Sequence, residues 1–241
     1  MEYFEPTQEI TGVPLLRRII LPHMTETTAA YRGRTKYNEK AARKYQVRKE
    51  AKHRAEMRMI DRAFAVVPKT HRVLDVPCGG GRVTIHLAKK GYNVSAADLS
   101  DSMIGIAREN IAKEKLNCSV ERQDIEKISL PDRAFDSIVS FRLFHHFPAL
   151  EIRQRAVNEL CRVARKYVAL SYFSPLSVTS VKRKVRAALG GKKSDKHSTS
   201  LSEVENYFRS AGFRLVKDFA QVPLIHTLHL ALFERAGETK P

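Results

Sequence analysis

Apolar residues recur along this chain with two periods, and the two alternate. Val73, Leu74 and Val76 form a short β-branched run ahead of a breaker cluster, the pattern of a buried parallel strand. Gly79, Gly80 and Gly81 follow, and from Arg82 the residues Val83, Ile85, Leu87 and Ala88 carry a helix to Lys90, with Gly91 where it ends. Val94 to Ala97 reads as a second strand. Ser100 or Asp101 caps a helix to about Lys115, with Met103, Ile104, Ala107 and Ile111 at helical spacing. Further strands are expected at 117–123, 135–141, 168–172, 213–219 and 225–233, and helices at 150–166 and 200–211. The second of these helices is opened by the capping box Ser200-Leu201-Ser202-Glu203. Strand and helix alternate throughout, which predicts an α/β domain on a right-handed parallel sheet.

Two helices stand outside that alternation. Residues 38–64 read as a long helix rich in Lys and Arg, whose plain account is a solvated face. Between the fifth strand and the helix at Ser200, Val178, Val181, Val185 and Leu189 recur at three- and four-residue spacing, with Lys182, Arg183, Lys184 and Arg186 around the other side. That is a short basic amphipathic helix ended by Gly190-Gly191. Either its apolar stripe packs on the core with the charges in water, or it meets an anionic membrane or an acidic substrate. The segment 13–22, apolar and bounded by prolines, is expected to cap the core or pack on a partner, with contact to a membrane surface as the alternative.

The turn at Gly79–Gly81 permits positive φ and close approach of backbone to a ligand. Asp98 stands at the carboxyl edge of the second strand, where an acid is placed to accept from the two ribose hydroxyls of a nucleoside. A dinucleotide fingerprint would want glycine at position 84, which is Thr84. Asp75 argues further against a pyrophosphate, because a carboxylate repels it and favours an ammonium group. Asp124 and Ile125, after the third strand, offer an acceptor for an exocyclic amine and an apolar cover for a ring, or a cap for the next turn.

Charge refines the picture. The chain of 241 residues carries a formal +17, with fourteen basic against four acidic residues in 31–72 and seven against one in 174–200. The remainder is nearly balanced, so the excess lies in two segments outside the glycine-bearing core. Three scattered cysteines give neither a disulfide framework nor a metal motif. The acidic amino terminus lacks a signal pattern and no apolar run approaches a membrane span, so a cytoplasmic protein is expected, peripheral at the inner membrane surface if the basic segments meet lipid.

Asp75-Val76-Pro77-Cys78-Gly79-Gly80-Gly81 resembles the first motif of the class I S-adenosylmethionine-dependent methyltransferases, departing at Pro77, where the family usually has its first glycine. Phe135-Asp136-Ser137-Ile138-Val139, followed by His145-His146, resembles the fourth motif of the small-molecule members, including those of quinone and lipid pathways. The resemblance covers roughly residues 73–233. It implies a Rossmann-like three-layer sandwich with a seven-stranded, mostly parallel sheet and a reversed last strand. It divides the chain into an amino-terminal extension and helical lid (1–70) and a cofactor-binding domain (71–241).

The cofactor implied is S-adenosyl-L-methionine, with contacts expected at Asp75, Pro77, Cys78, Gly79, Gly81, Asp98, Leu99, Met103, Asp124, Ile125, Ser140 and, from the lid, Tyr45. Met103 is equally readable as core. His145 and His146 are candidates for a general base if the acceptor is a hydroxyl or enol, or for histidines hydrogen-bonded at a helix start. Arg142, Tyr37, Lys182 and Arg183 are candidates for holding an acidic acceptor. The expected reaction is methyl transfer to an acidic small molecule or lipid-linked acceptor such as a glycan or quinone. An RNA methyltransferase is the enzymatic alternative, favoured by charge. Against it stand the lack of an Asn-Pro-Pro-Tyr-like motif and the few aromatics among the basic clusters. A noncatalytic cofactor-binding protein is the alternative outside the enzymes.

Overall fold

The structure is a computed structural model that describes residues 50–190, 196–222 and 225–237. Seven strands form one sheet: β1 (Arg72–Asp75), β2 (Asn93–Asp98), β3 (Val120–Arg122), β4 (Phe135–Ser140), β5 (Ala164–Phe173), β6 (Phe213–Ala220) and β7 (Leu228–Arg235). Their order is β3-β2-β1-β4-β5-β7-β6. The first five run parallel, and β7 is antiparallel to both β5 and β6. This is the Rossmann-like sandwich with a reversed last strand.

Side chains of a strand alternate between the two faces of a sheet. Accordingly Val73 and Val139 join α1 (Glu50–Phe64) and α2 (Arg82–Lys89) in one core cluster. Their neighbours Leu74 and Ile138 join α4 (Leu150–Val163) and α6 (Leu201–Ser210) in the other. The second cluster is deep: Phe208 stacks on Phe233 with ring centroids 3.7 Å apart. A smaller cluster under α3 (Asp101–Lys113) closes the sheet edge at Ala96 and Val120.

Local chemistry sets the helix starts. Ser100 caps α3 by accepting from Met103 N–H, and Ser200 caps α6 by accepting from Glu203 N–H at 3.2 Å. The Glu203 carboxylate does not close the expected box. It accepts from Arg153 at 2.8 Å and from the Tyr207 hydroxyl at 2.7 Å instead, tying α6 to α4.

Of the two readings of the basic helix, packing of its apolar stripe on the core is not the arrangement seen. In α5 (Val178–Ala188) the apolar stripe does not pack on the described core: Val178, Val181 and Val185 are each about half exposed and Leu189 is 82% exposed. The helix instead turns small polar residues inward, Ser180 and the preceding Ser177 being buried. No described helix is long and apolar enough to cross a membrane.

Candidate active site

The carboxyl ends of β1, β2 and β3 converge at one edge, where the order of a parallel sheet reverses about β1 and β4 and ligands characteristically lie. A cleft of about 920 Å³, including its open mouth, occupies this edge. Its wall is formed by Asp75 to Gly80, Arg82 and Val83; by Asp98, Leu99, Ser100 and Met103; by Gln123 to Ile125; and by Phe141 to Leu143.

The floor is acidic. Asp75 ends β1 and is 1% exposed. One of its oxygens, Oδ2, accepts from both the backbone N–H of Thr84 (3.0 Å) and its hydroxyl (2.6 Å). The other, Oδ1, is buried with no hydrogen-bond partner. Burial pushes the Asp75 carboxyl up to about 7, opposed by the Thr84 bonds and assisted by the nearby charge of Asp98. A buried, half-satisfied carboxylate on a cleft wall is a receptor for a donor, above all a cationic one.

Asp98 is held by the glycine turn. Gly79, in the left-handed region at φ 53°, donates its N–H to Asp98 Oδ2 at 2.8 Å, and Ser100 N–H donates to Oδ1 at 2.9 Å. Leu99 N–H also favours the ionised form, and a carboxylate with about four acceptor positions still has capacity for a ligand beyond these three backbone donors. Burial raises the pKa of this carboxyl too, with the backbone bonds pulling the other way. A Cβ placed on Gly79 would meet nothing within 4 Å, so the backbone there is open to a ligand. Cys78 lines the same turn, and burial drives its thiol far above the ordinary range, leaving it an inert wall.

Above the glycine turn lies an ion cluster without a counterpart in the sequence-based expectation. Glu56 of α1 is completely buried and accepts from Arg82 (3.2 Å) and Arg142 (3.1 Å). Arg142 therefore does not stand ready for an acidic acceptor through its whole guanidinium, because part of that charge is neutralised by Glu56. Its Nε, buried and without a hydrogen-bond partner, is the portion left over. The backbone of Arg142 sits at φ 69°, a costly conformation for a residue with a Cβ, and is pinned by donation from its N–H to Ser171 Oγ at 2.5 Å.

The structure brings Asp75, Pro77, Cys78, Gly79, Asp98, Leu99, Met103, Asp124, Ile125 and Arg142 to one cleft. Asp124 also accepts from Glu126 N–H at 3.0 Å, so it caps the next turn from the cleft wall. Several expected residues are not there. Gly81 caps α2 at φ 80°, where an added Cβ would lie 3.5 Å from Ala107 of α3, and Gly80 lines the cleft in its place. Ser140 is buried on the sheet face it shares with Ile138, two residues away along β4.

His145 and His146 lie in a 3₁₀ turn (Phe144–His146) that directs both rings inward, off the cleft wall. His145 stacks on Phe173 at 3.9 Å, and its carbonyl accepts from His197 N–H at 2.8 Å. The expected general base is thus not brought to the described cleft. Lys182 is exposed on α5, away from the cleft lining. Tyr37, Tyr45 and the side chain of Arg183 lie outside the described residues.

Residues 73–167 match the family described as a methyltransferase domain. A ubiquinone biosynthesis O-methyltransferase of Coxiella burnetii is 39% identical over 80 residues, which cover 33% of this chain and 34% of that protein. The methyltransferase GfsG of Streptomyces halstedii is 34% identical over 98 residues, covering 39% and 34%. The chain thus matches about a third of the length of these curated relatives.

Among solved structures, magnesium protoporphyrin IX methyltransferase from Synechocystis with bound SAH aligns with a TM-score of 0.66 at 18% identity, over 79% of this chain and 89% of that one. A SAM-dependent methyltransferase from Methanosarcina mazei aligns at 0.62 and 19%, over 72% and 96%. At such identities the likeness is one of fold. Within that fold, residues 73–167 are the segment that matches the methyltransferase-domain family.

Proposed function

We propose that the protein transfers a methyl group from S-adenosylmethionine to an already ionised oxygen of an acidic small-molecule or lipid-linked acceptor. The electron pair of the broken sulfur–methyl bond stays on S-adenosylhomocysteine, so that no proton has to be removed at the cleft. The observation that carries the cofactor part is the unpartnered Oδ1 of Asp75 beside the open Gly79 turn and the Asp98 carboxylate. These residues fit the group chemically. Asp75 would take the ammonium of the amino-acid end, Asp98 the ribose hydroxyls, and Asp124 with Ile125 the adenine. Bound there, the cofactor supplies an electrophilic methyl on a positively charged sulfur.

The chain's own task is then to align the acceptor and exclude water rather than to form a covalent bond. Met103, Ile125, Phe141 and Leu143 give the cleft dry walls, and the buried Glu56–Arg82–Arg142 cluster closes it on the α1 side. Support for an acidic acceptor comes from the chain's excess of positive charge and from Arg142, which lines the cleft and shares Glu56 with Arg82. Support for an oxygen nucleophile comes from the O-methyltransferases matched by the cofactor-binding segment.

Incubation with methyl-labelled S-adenosylmethionine and separated cell fractions tests this reading. Label is expected in an acidic, low-molecular-weight or organic-extractable fraction. Label in RNA, or none above the Asp98→Ala variant, would overturn it.

A further inference from the structure

Ten large apolar side chains are strongly exposed among the described residues, and seven of them gather in one place. Leu176, Val178, Val181, Val185 and Leu189 line the outer side of α5 and its flanks. Val222 and Ile225 belong to the loop between β6 and β7. That loop is fastened to the helix: the carbonyl of Ile225 accepts from the Thr179 hydroxyl at 2.7 Å and from its N–H at 3.3 Å. The helix therefore presents its amphipathicity the wrong way round for a water-facing element, with Ser177 and Ser180 buried and valines outward. Apolar surface concentrated in this way marks an interaction site.

Charge identifies what the surface meets. Lys182 and Arg186 border the apolar stripe, sharing a shallow groove with Val181, Val185 and Leu189. From Ser174 to Ser194 the sequence has six Lys or Arg, no Asp or Glu and no aromatic residue. An RNA surface would want aromatic or other stacking platforms between the cations. An apolar stripe bordered, among the described residues, by Lys182 and Arg186 matches an anionic lipid surface, with the valines in the acyl boundary and the basic heads among the phosphates.

We propose that α5, together with Val222 and Ile225, docks the protein on an anionic bilayer. The helix follows the carboxyl end of β5, at the same edge of the parallel strands as the glycine turn and Asp98. Docking therefore brings the cleft edge to the lipid surface, where an amphiphilic acceptor would be presented. The insertion returns to the sheet beside the cleft, with His197 N–H bonded to the His145 carbonyl and Thr199 N–H to that of Phe173, each at 2.8 Å. Docking requires nothing of the cofactor cleft itself, so either can fail without the other.

The test is co-flotation of the full chain with vesicles of phosphatidylcholine alone or mixed with phosphatidylglycerol, at low and high salt. Binding is expected to the mixed vesicles, at least several-fold weaker to the neutral ones, and reduced by salt. The double variant Val181→Asp/Val185→Asp is expected to lose vesicle binding about tenfold while keeping its melting temperature and its affinity for S-adenosylhomocysteine. Equal binding by this variant would overturn the proposal. So would absence of wild-type binding to the mixed vesicles, accompanied either by binding to RNA homopolymer or by a dimer that the variant dissociates.

Discussion

Thr84 gives both its backbone N–H and its hydroxyl to a single oxygen of Asp75, a residue of the cleft wall, leaving the second oxygen buried without a partner. The residue that breaks the dinucleotide glycine pattern is thus the one that fixes the carboxylate. A glycine at 84 would keep only the backbone bond. Replacing the pyrophosphate-binding pattern and creating an ammonium receptor are one change of chemistry at one position.

A pH dependence follows from the raised pKa. Burial lifts the Asp75 carboxyl from its ordinary 3.8 to about 7, so between those values the folded protein holds a proton that the unfolded chain has released. This group therefore favours folding at low pH, and its contribution becomes unfavourable as pH rises toward 7. Binding a cation reverses the preference, because the ionised carboxylate gains a partner. Affinity for S-adenosylhomocysteine should rise about tenfold from pH 6 to pH 8, with proton release at the lower pH. Calorimetry in buffers of differing ionisation enthalpy checks this, and Asp75→Asn should flatten the profile.

In the proposed site Asp98 takes the nucleoside end. Removing two charged acceptors from bound hydroxyls should weaken S-adenosylhomocysteine roughly 10- to 100-fold. Asp98→Ala also frees the N–H groups of Gly79 and Ser100, so circular dichroism must show that the variant is folded. Unchanged affinity in a folded variant would exclude the placement.

The cost of disturbing Glu56 is predicted to be one of stability. The residue is fully buried between two guanidinium groups, and neutralising it leaves both without their counter-charge. Glu56→Gln should destabilise the fold by about 3 kcal/mol. That corresponds to a fall in melting temperature on the order of 10 °C for a domain of this size. A thermal melt within a degree or two of the wild type would show the cluster to be dispensable.

His145 is expected to be neutral for cofactor binding. Its ring is 1% exposed and stacked on Phe173 rather than on the cleft wall. His145→Phe preserves that stack, and its affinity for S-adenosylhomocysteine should equal that of the wild type in a calorimetric titration.

The architecture was legible because strand and helix periods alternate cleanly from Val73 onward. The glycine turn and the acids at 75 and 98 sit at fixed offsets from those periods. Ser140 and Gly81 do not line the cleft, for geometric reasons: one residue along a strand reverses the face, and one residue along the turn brings Gly81 against α3. Glu56 was missed because it lies in a run of charges, although its spacing from Met59, Ile60 and Ala63 puts it on the buried face of α1. The two histidines follow the fourth strand as expected, but a 3₁₀ turn carries their rings inward, and residue type alone does not report that rotation. The outward stripe of α5 has the periodicity of a packed helix, and periodicity does not say which side meets the core.

The central claim is that the cleft at the ends of β1 and β2 is built for a sulfonium amino-acid nucleoside. Calorimetric titration of the full chain with S-adenosylhomocysteine, and in parallel with NAD, tests it most directly. Micromolar binding of the first and none of the second is predicted; binding of NAD, or of neither, would contradict the account.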